Sequence, residues 1–352
     1  MKNKPLMTMK TWQALATFLG VFLLCTLIFY CTKPGVKNND PLIFAALTDE
    51  DLKVNPLKKQ GNPDLDTVLF NQKLQDLVHQ KPTAEWPVKT AYPLGGASFP
   101  FNRVIAFYGN FFSKRMGILG ELPADEMLKK LKGEVEKWEA ADTLTTVVPA
   151  IHYIAVTAQY NSGKDGKYRY RMPAEQIEKA IELAKKINAI VFLDIQVGHS
   201  TLQEELPRLE KYLSLPNVHL GIDPEFSMKG GQVPCTVIGS FDAEDINYTS
   251  KWLSTIVKQY NLPPKILIVH RFTIGMVTNT ENISTRPEVQ LVMHMDGFGF
   301  PAKKISSYKT AIVNKPVEFT GIKLFYKQDQ PRMMEPDEIL KLYPKPVYIQ
   351  YQ

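Results

Sequence analysis

Cysteine is scarce in this sequence, and its placement excludes two kinds of stabilising chemistry. Only three cysteines occur in 352 residues, and Cys25 and Cys31 lie in or beside one long apolar segment. Cys235 is therefore the single thiol of the remaining chain, which excludes a disulfide within that part. It also excludes a structural zinc site that needs two or more thiolates. A chain of this length buries a core large enough to fold without either.

Long runs of one charge are also missing. The 42 Lys and Arg residues exceed the 36 Asp and Glu residues by only 6, and the two signs are interleaved. No arginine-rich stretch or aromatic–basic stripe is present, so we expect no nucleic-acid partner. Tyr108-Gly109-Asn110 follows the first predicted strand in place of a Gly-x-Gly-x-x-Gly loop, which argues against a dinucleotide site. We expect no cofactor and assign no metal site from the sequence.

One long apolar run, from Trp12 to Tyr30, carries no charge. At about 1.5 Å per residue, its roughly 19 residues span about 28 Å, close to the thickness of a bilayer core. Three lysines precede it, which leaves the N-terminus in the cytoplasm. We therefore predict a cytoplasmic segment over 1–11, a transmembrane anchor over 12–30, and an extracytoplasmic remainder in the periplasm or at the cell surface.

Two kinds of processing at the end of this run compete with an uncleaved anchor: lipidation of a cysteine and cleavage of a signal peptide. Cys31 follows the apolar residues directly, as the acylated cysteine of a lipoprotein does, although bulky Tyr30 replaces the small residue expected there. A cleaved signal peptide needs a shorter apolar region and small residues before the cut, where Ile28, Phe29 and Tyr30 stand. We favour an uncleaved anchor, with lipidated Cys31 as the alternative.

The rest of the chain divides into a connector and a barrel. Residues 31–100 form the connector, with one predicted helix over Asp66–His79 that either bridges to the membrane or packs across the barrel floor. Over 101–352, apolar β-type runs alternate with helical periods. The predicted strands are Arg103–Tyr108, Val147–Thr157, Ile190–Gln196, Val218–Asp223, Ile266–His270, Gln290–Asp296, Phe319–Tyr326 and Val347–Tyr351. The predicted helices are Ala124–Ala140, one beginning at Pro173, Leu202–Tyr212, Ala243–Tyr260, Lys303–Val313 and Pro336–Leu342.

Alternating strands and helices imply a parallel sheet, and eight such strands can close a (β/α)8 TIM barrel. The unit between the fifth and sixth strands is the exception, because Thr273–Pro287 is predicted as loop. An open doubly wound sheet is the alternative fold.

Candidate site residues follow from the rule that such barrels act at the C-terminal ends of their strands. Asp194, Asp223, Glu225 and Asp296 fall there, and buried carboxylates cost several kcal/mol unless paired. A functional pocket explains this cluster better than packing does; a structural ion network with Lys or Arg is the alternative.

Within this cluster we predict Glu225 as general acid, with Asp223 and Asp296 as further catalytic carboxylates. Period-two alternation puts Asp223 on the same face as Glu225, where one carboxylate raises the pKa of the other. His152 and His219 are predicted as core or floor residues. The residues assigned to substrate binding are Tyr108, Asn110, Asp194, Gln196, His270, Arg271, His294, Tyr326 and Gln350.

Two of these strand ends resemble a known family. Gly221-Ile222-Asp223-Pro224-Glu225 looks like a shortened form of the chitinase-family motif D-G-x-D-x-D-x-E on the fourth strand. The resemblance implies that Glu225 is the acid and that Asp223 orients the acetamido group of a substrate. Residues 292–296 resemble the family's M-x-Y-D, with Met295 in place of the tyrosine. Tyr348 and Tyr351 stand where the family has a tryptophan on the eighth strand.

Phe107-Tyr108-Gly109-Asn110 and Gly117-Ile118-Leu119-Gly120-Glu121, together with the strand-end motifs, also make the whole barrel resemble a group of secreted bacterial barrel proteins. This likeness implies no activity. In the wider clan of retaining barrel glycosidases a Glu nucleophile ends the seventh strand, where this chain offers only Asp329 or Glu335. This disfavours a two-carboxylate retaining mechanism relative to an inverting or substrate-assisted one.

Three functions therefore compete. The favoured one is a membrane-anchored glycoside hydrolase-like enzyme acting on a glycan or polysaccharide. The second is a non-catalytic barrel that binds a glycan or serves as a subunit of a membrane complex. The third is a metal-dependent hydrolase with ligands among Asp194, Asp223, Glu225, His270, His294 and Asp296.

The predicted anchor is tested by fractionating cells that express the full chain. We expect the protein to stay in the membrane pellet after alkaline carbonate washing, and a variant lacking residues 1–30 to leave it. The Cys31→Ala variant should stay in the pellet if the anchor is uncleaved. Recovery of the full chain in the soluble fraction contradicts a membrane tether.

Overall fold

Eight strands form a closed parallel sheet, and each coincides with one of the predicted apolar runs. β1 pairs with both β2 and β8, and the remaining neighbours pair in chain order. The strands are β1 (Asn102–Gly109), β2 (Thr146–Ala158), β3 (Ile190–Ile195), β4 (Val218–Ile222), β5 (Lys265–Arg271), β6 (Val289–Met295), β7 (Phe319–Leu324) and β8 (Tyr348–Tyr351). The predicted TIM-type barrel is confirmed, and its closure excludes the open doubly wound sheet.

The computed structural model describes residues 64–352. The predicted cytoplasmic segment, the anchor over 12–30, Cys31 and the first part of the connector lie outside the described residues. Within 64–352, no helix combines the length and the apolar character needed to cross a bilayer.

The helices also follow the predicted pattern, with two interruptions. They are α1 (Thr67–Leu77), α2 (Ile118–Glu121), α3 (Ala124–Ala141), α4 (Ala174–Lys185), α5 (Leu202–Glu205), α6 (Glu210–Leu213), α7 (Ala243–Tyr260), α8 (Pro301–Tyr308) and α9 (Pro336–Ile339). A 3₁₀ turn containing Pro207 separates α5 from α6, since proline has no backbone N–H to continue an α-helix. A π-helical turn over Lys309–Val313 continues α8.

The loop predicted between β5 and β6 is confirmed. It contains two 3₁₀ turns, Ile274–Met276 and Thr280–Asn282, and the two-residue strand Val277–Thr278, which pairs with Phe241–Asp242. This two-residue pairing fixes the β5–β6 loop to the segment before α7, in the position where other units of the barrel have a helix.

Period-two alternation separates two cores. Residues such as Ile105 and Phe107 face outward and join the helices in the larger apolar core. Val104 and Ala106, one position out of phase, face the barrel interior with Phe192. The lower interior is therefore apolar, and the sheet is buried on both faces, as parallel sheets require.

The described end of the connector closes the barrel floor. Leu74 and Leu77 of α1 pack against the interior apolar core. Gln290 fixes the chain entering β1, because its Oε1 accepts from Ser98 N at 2.8 Å and its Nε2 donates to Phe99 O at 2.6 Å. The described part of the connector therefore packs across the barrel floor, which is one of the two placements expected for this segment.

Lys265 at the start of β5 is fully buried. Its Nζ donates to Leu215 O at 2.5 Å and to Val218 O at 2.8 Å, which ties the α6–β4 connection to β5. Burial lowers the pKa of Lys265 to about 7. The folded state therefore binds fewer protons than the unfolded state between about pH 7 and the ordinary lysine pKa.

This lysine predicts a specific pH dependence of stability. Because the unfolded chain binds more protons, the free energy of unfolding of the wild type should rise relative to Lys265→Met as pH increases. We expect a relative gain of about 2.5 kcal/mol between pH 6 and pH 9, measured by urea unfolding. The exposed Lys251→Met serves as control and should follow the wild type. An identical pH dependence in wild type and Lys265→Met contradicts the buried-lysine assignment.

Candidate functional site

Seven strands each turn a polar side chain into the barrel at its C-terminal half, above the apolar interior. All seven side chains are buried. They are Tyr108 from β1, His152 from β2, Asp194 from β3, His270 from β5, His294 from β6, Lys323 from β7 and Gln350 from β8. Together with Asp223, Asp296, Gln196 and Tyr348, these residues are called the polar cluster below.

Asp194 lies at the centre of the polar cluster and is fully buried. Its Oδ2 accepts from Tyr108 Oη at 2.9 Å, while its Oδ1 lies 3.2 Å from His152 Nε2 and 3.4 Å from His270 Nε2. Burial raises the pKa of Asp194, but the charge on His270 and the contact with His152 have the larger, opposite effect. The resulting pKa lies well below the usual range. Asp194 is therefore an ionised carboxylate inside the barrel.

His270 links Asp194 to a second carboxylate. Its Nδ1 lies 2.7 Å from Asp296 Oδ2, and Lys323 Nζ lies 2.9 Å from Asp296 Oδ1. Burial alone lowers the pKa of His270, yet the charges of Asp194 and Asp296 raise it to about 10. Two carboxylates are thus balanced by an imidazolium and by Lys323, which also lies 3.9 Å from the centre of the Tyr108 ring.

Asp223 is the one carboxyl of the polar cluster whose pKa rises. Burial is the main cause and raises the pKa of Asp223 to about 7. The charge on His270 opposes this rise, the charges of Asp194 and Asp296 add to it, and Lys323 lowers it slightly. A carboxylate oxygen of Asp223 and one of Asp296 are within 4.8 Å of each other. Such proximity of two acids keeps one of them protonated near neutrality.

A lower tier holds the imidazole of His152. Its Nδ1 lies 2.6 Å from Tyr348 Oη and 3.1 Å from Gln350 Nε2. Burial lowers the pKa of His152 to about 4, so the ring is neutral at physiological pH. His294 packs edge-on against both His270 and Tyr348, and burial holds its pKa well below the usual range.

The end of β4 departs from the predicted geometry. The strand ends at Ile222, and Pro224–Phe226 form a 3₁₀ turn capped by Asp223, whose Oδ1 accepts from Glu225 N at 3.1 Å. Period-two alternation therefore stops before Glu225, and the expectation that Asp223 and Glu225 share a strand face is wrong. Glu225 is half-buried at the rim, whereas Asp223 is buried in the polar cluster.

Three residues assigned to substrate binding lie outside the polar cluster. Asn110 donates to Ile154 O at 3.0 Å and accepts from Phe112 N at 2.8 Å, which shapes the turn after β1. Arg271 donates to Ile274 O and Val277 O and so holds the β5–β6 loop. As the neighbour of inward-facing His270 in the strand, it faces outward by the same alternation that placed His270 correctly.

Tyr326 is the third, because it lies past the end of β7. Its Oη donates to Glu134 Oε1 at 3.0 Å, and its ring stacks on Tyr351. It lines a cavity of about 80 Å³ that also includes Glu121 and Lys327. Tyr326 therefore belongs to the outer face of the barrel, beside the mouth.

Asp329 and Glu335 follow β7 and were the two candidates for a nucleophile. The partners described below for these two acids lie outside the polar cluster. Asp329 pairs with buried Lys304 at 3.1 Å and accepts from the backbone N–H groups of Gly299 and Phe325. Glu335 caps the N-terminus of α9. Both have structural roles, in line with the disfavoured retaining mechanism.

His152, Lys323 and Tyr348 are parts of the polar cluster that the sequence reasoning did not assign to the site. His152 lies in the middle of a strand of 13 residues with apolar neighbours, so nothing local distinguishes it from a core histidine. The positions of Lys323 and Tyr348 relative to Gln350 could have predicted that both belong to the polar cluster. Lys323 pairs in register with Gln350, and Tyr348 is two residues before Gln350, so both share its inward face.

Gly221 on β4 makes the close packing of the polar cluster possible. A Cβ at this position would lie 2.3 Å from Asp194 Oδ1 and 2.5 Å from His152 Nε2. Its partner in register is Asp194 itself. Any side chain here would occupy the space where the carboxylate and the imidazole meet.

Two groups of side chains bring together possible metal-ligating atoms. One ligand atom each from His152, Asp194 and His270 lie within 4.8 Å of one another, and the same holds for Asp223, His270 and Asp296. The chemistry available to the polar cluster thus includes proton transfer at Asp223, fixed negative charge at Asp194 and Asp296, and cation binding.

No protein-family model and no curated protein matches this sequence. Among solved structures, the chain is similar to a hyperthermophilic endo-β-1,4-glucanase in complex with substrate, at 9% identity and a TM-score of 0.35, over 72% of this chain and 89% of that one. It is similar to a mannanase of Bacillus subtilis at 13% identity and a TM-score of 0.38, over 82% and 86%. A ruminal GH26 endo-β-1,4-mannanase is similar at 11% identity and a TM-score of 0.33, over 72% of this chain and 59% of that one. The fold assignment rests on the strand pairing described above.

The role of Gly221 predicts the effect of one methyl group. Gly221→Ala should destabilise the protein by about 1–3 kcal/mol, since the new Cβ overlaps Asp194 and His152. Gly133→Ala is the matched control, because no atom lies within 4 Å of a Cβ at that position inside α3. It should stabilise the protein by about 0.5–1 kcal/mol. Equal effects of the two substitutions in urea unfolding contradict the steric role of Gly221.

Proposed function

We propose that this barrel is a glycoside hydrolase-like enzyme, tethered outside the cytoplasm, that cleaves a glycan at the C-terminal mouth of the barrel. The observation that carries the proposal is the convergence of Asp194, Asp223 and Asp296 from three parts of the barrel, with Glu225 at the rim beside them. Burying carboxylates is unfavourable because they lose their hydration, so clusters of buried charges are more typical of catalytic sites than of a core that only stabilises the fold.

Glu225 is the proposed proton donor. It is half-buried at the rim, so a substrate can reach it, and its backbone N–H is fixed by Asp223 Oδ1. Protonation of the glycosidic oxygen is the acid step that glycan cleavage requires. Its placement at the end of β4 also agrees with the role that the chitinase-family resemblance implies.

Asp223 and Asp296 support the same reaction from below. Asp223 caps the turn that carries Glu225 and can orient a polar group of the substrate, such as an acetamido group. Asp296, fixed by His270 and Lys323, supplies negative charge that does not need to reorganise. A preorganised carboxylate of this kind stabilises the positive charge that develops on the sugar ring in the transition state.

One observation favours a second candidate, a barrel that binds a glycan or a membrane-complex partner without turnover. The Lys323 side chain occupies the space between Asp296 and the Tyr108 ring. A lysine that neutralises a carboxylate in this way is also what a structural ion network requires. The two candidates differ in turnover, which the following experiment measures.

The test uses the purified full chain with a panel of glycans and with aryl glycosides that have good leaving groups. Glu225→Gln should reduce kcat/KM on unactivated glycans by about 10²–10⁴. It should spare aryl glycosides, whose leaving groups need no proton. The exposed Glu126→Gln should retain wild-type rates on both.

Two outcomes overturn the proposal. Wild-type rates in Glu225→Gln on unactivated glycans remove the assigned acid. Glycan binding by the wild type that survives Asp223→Asn and Asp296→Asn, with no product formed from any glycan, supports the non-catalytic barrel instead.

A further inference from the structure

Three buried polar atoms meet beneath the rim without forming hydrogen bonds. Among residues 64–352, His152 Nε2, Asp194 Oδ1 and His270 Nε2 are completely buried and have no hydrogen-bond partner. The two nitrogens lie 3.2 Å and 3.4 Å from the oxygen, which is longer than a typical N–H···O hydrogen bond. Buried polar atoms left without hydrogen bonds are unfavourable, so the convergence of these three points to an occupant between them.

The spacing of these atoms fits a metal ion. Ligand atoms at about 2.0–2.1 Å from a tetrahedral zinc ion are separated from one another by about 3.3 Å. The measured 3.2 Å and 3.4 Å match this separation, and all three atoms lie within 4.8 Å of one another. Two imidazoles and one carboxylate form a donor set that suits zinc and related divalent transition cations.

The surrounding bonds orient each ligand as metal sites require. The remote nitrogen of His270 contacts the Asp296 carboxylate at 2.7 Å, and that of His152 contacts Tyr348 Oη at 2.6 Å. The second oxygen of Asp194 accepts from Tyr108 Oη at 2.9 Å. A histidine whose far nitrogen is held by a carboxylate or hydroxyl presents the other nitrogen to a metal in a fixed direction.

Gly221 leaves the space that the three ligand atoms need in order to meet. The absence of a side chain on β4 lets Asp194 Oδ1 and His152 Nε2 approach the barrel wall together. The ligands come from β2, β3 and β5, on either side of that glycine. Rigid strands, rather than loops, therefore hold all three.

We infer that His152, Asp194 and His270 form a binding site for a divalent transition cation of the zinc type, in the barrel interior beneath the proposed catalytic rim. The ion replaces the proton on His270 Nε2, so binding releases that proton and keeps the charge of Asp194 compensated. Three protein ligands leave one position of a tetrahedral ion to water or to a neighbouring group. This site goes beyond the proposed function, and its tests measure metal rather than turnover.

The first test measures metal content. The full chain, purified with a tag that contains no histidine, is loaded with Zn²⁺, desalted and analysed by plasma mass spectrometry. We expect about one zinc per chain in the wild type and a loss of at least tenfold in affinity for His152→Gln. His199→Gln replaces a half-exposed histidine outside the site and should keep the full zinc content.

A second measurement keeps the inference testable if His152→Gln fails to fold. Wild-type protein loaded with Co²⁺ should show the intense visible bands of a four- or five-coordinate ion. X-ray absorption of the zinc form should show nitrogen and oxygen ligands at about 2.0–2.1 Å, including two imidazoles. The melting temperature should rise by about 5 °C or more on reloading stripped protein.

The inference is overturned if the folded wild type retains no zinc or cobalt after loading. It is also overturned if His152→Gln binds as much zinc as the wild type. X-ray absorption that shows sulfur ligands or no imidazole assigns the bound metal to another site and has the same consequence. None of these outcomes bears on whether Glu225 donates a proton.

Discussion

The ionised carboxylate of Asp194, without solvent exposure in the middle of the barrel, is the constraint around which the upper interior is arranged. A charge in this position is tolerated only when countercharge and hydrogen bonds surround it. Tyr108, His152 and His270 approach it from three other strands, and Gly221 leaves the room in which they meet. Because these groups come from different strands, the charge is compensated only in the closed barrel.

The same constraint extends to the rim. His270 compensates Asp194 on one side and Asp296 on the other, and Lys323 completes the balance. Burial disfavours a negative charge on Asp223 and is the main reason why its pKa rises, and the ionised Asp194 and Asp296 add to this effect. The polar cluster therefore assigns different protonation states to carboxyls of the same chemical type. Neighbours of this kind are what an enzyme uses to separate a proton donor from a fixed charge.

The proposed glycan chemistry and the inferred metal site occupy different depths of one barrel. Glu225 lies at the half-buried rim, whereas His152, Asp194 and His270 lie in the closed interior. An ion in the lower position would hold together β2, β3 and β5, which neighbour the strands that precede Asp223 and Asp296. It would also supply the positive charge that His270 otherwise carries. The two proposals are therefore compatible, and either can hold without the other.

Much of the fold was readable from the sequence, because each barrel strand is a short apolar run between turn signals and each long helix has one apolar stripe. The loop between β5 and β6 was also readable, since Thr273–Pro287 lacks that stripe. The break at Pro207 was missed, because the apolar spacing continues through it although proline removes a backbone donor.

The site was predicted in part, and alternation explains both outcomes. Asp194, Asp223, His270, Asp296, Tyr108 and Gln350 converge because strand ends of a parallel barrel meet at one mouth. Arg271 was included against the period-two rule, and Glu225 was assigned a strand face although Pro224 turns the chain away. The sequence determined which residues lie at strand ends, since periodicity and turn residues are local. Only the tertiary structure decided that His152 faces Asp194 and His270, because that contact depends on strand register and barrel closure, which join residues far apart in the chain.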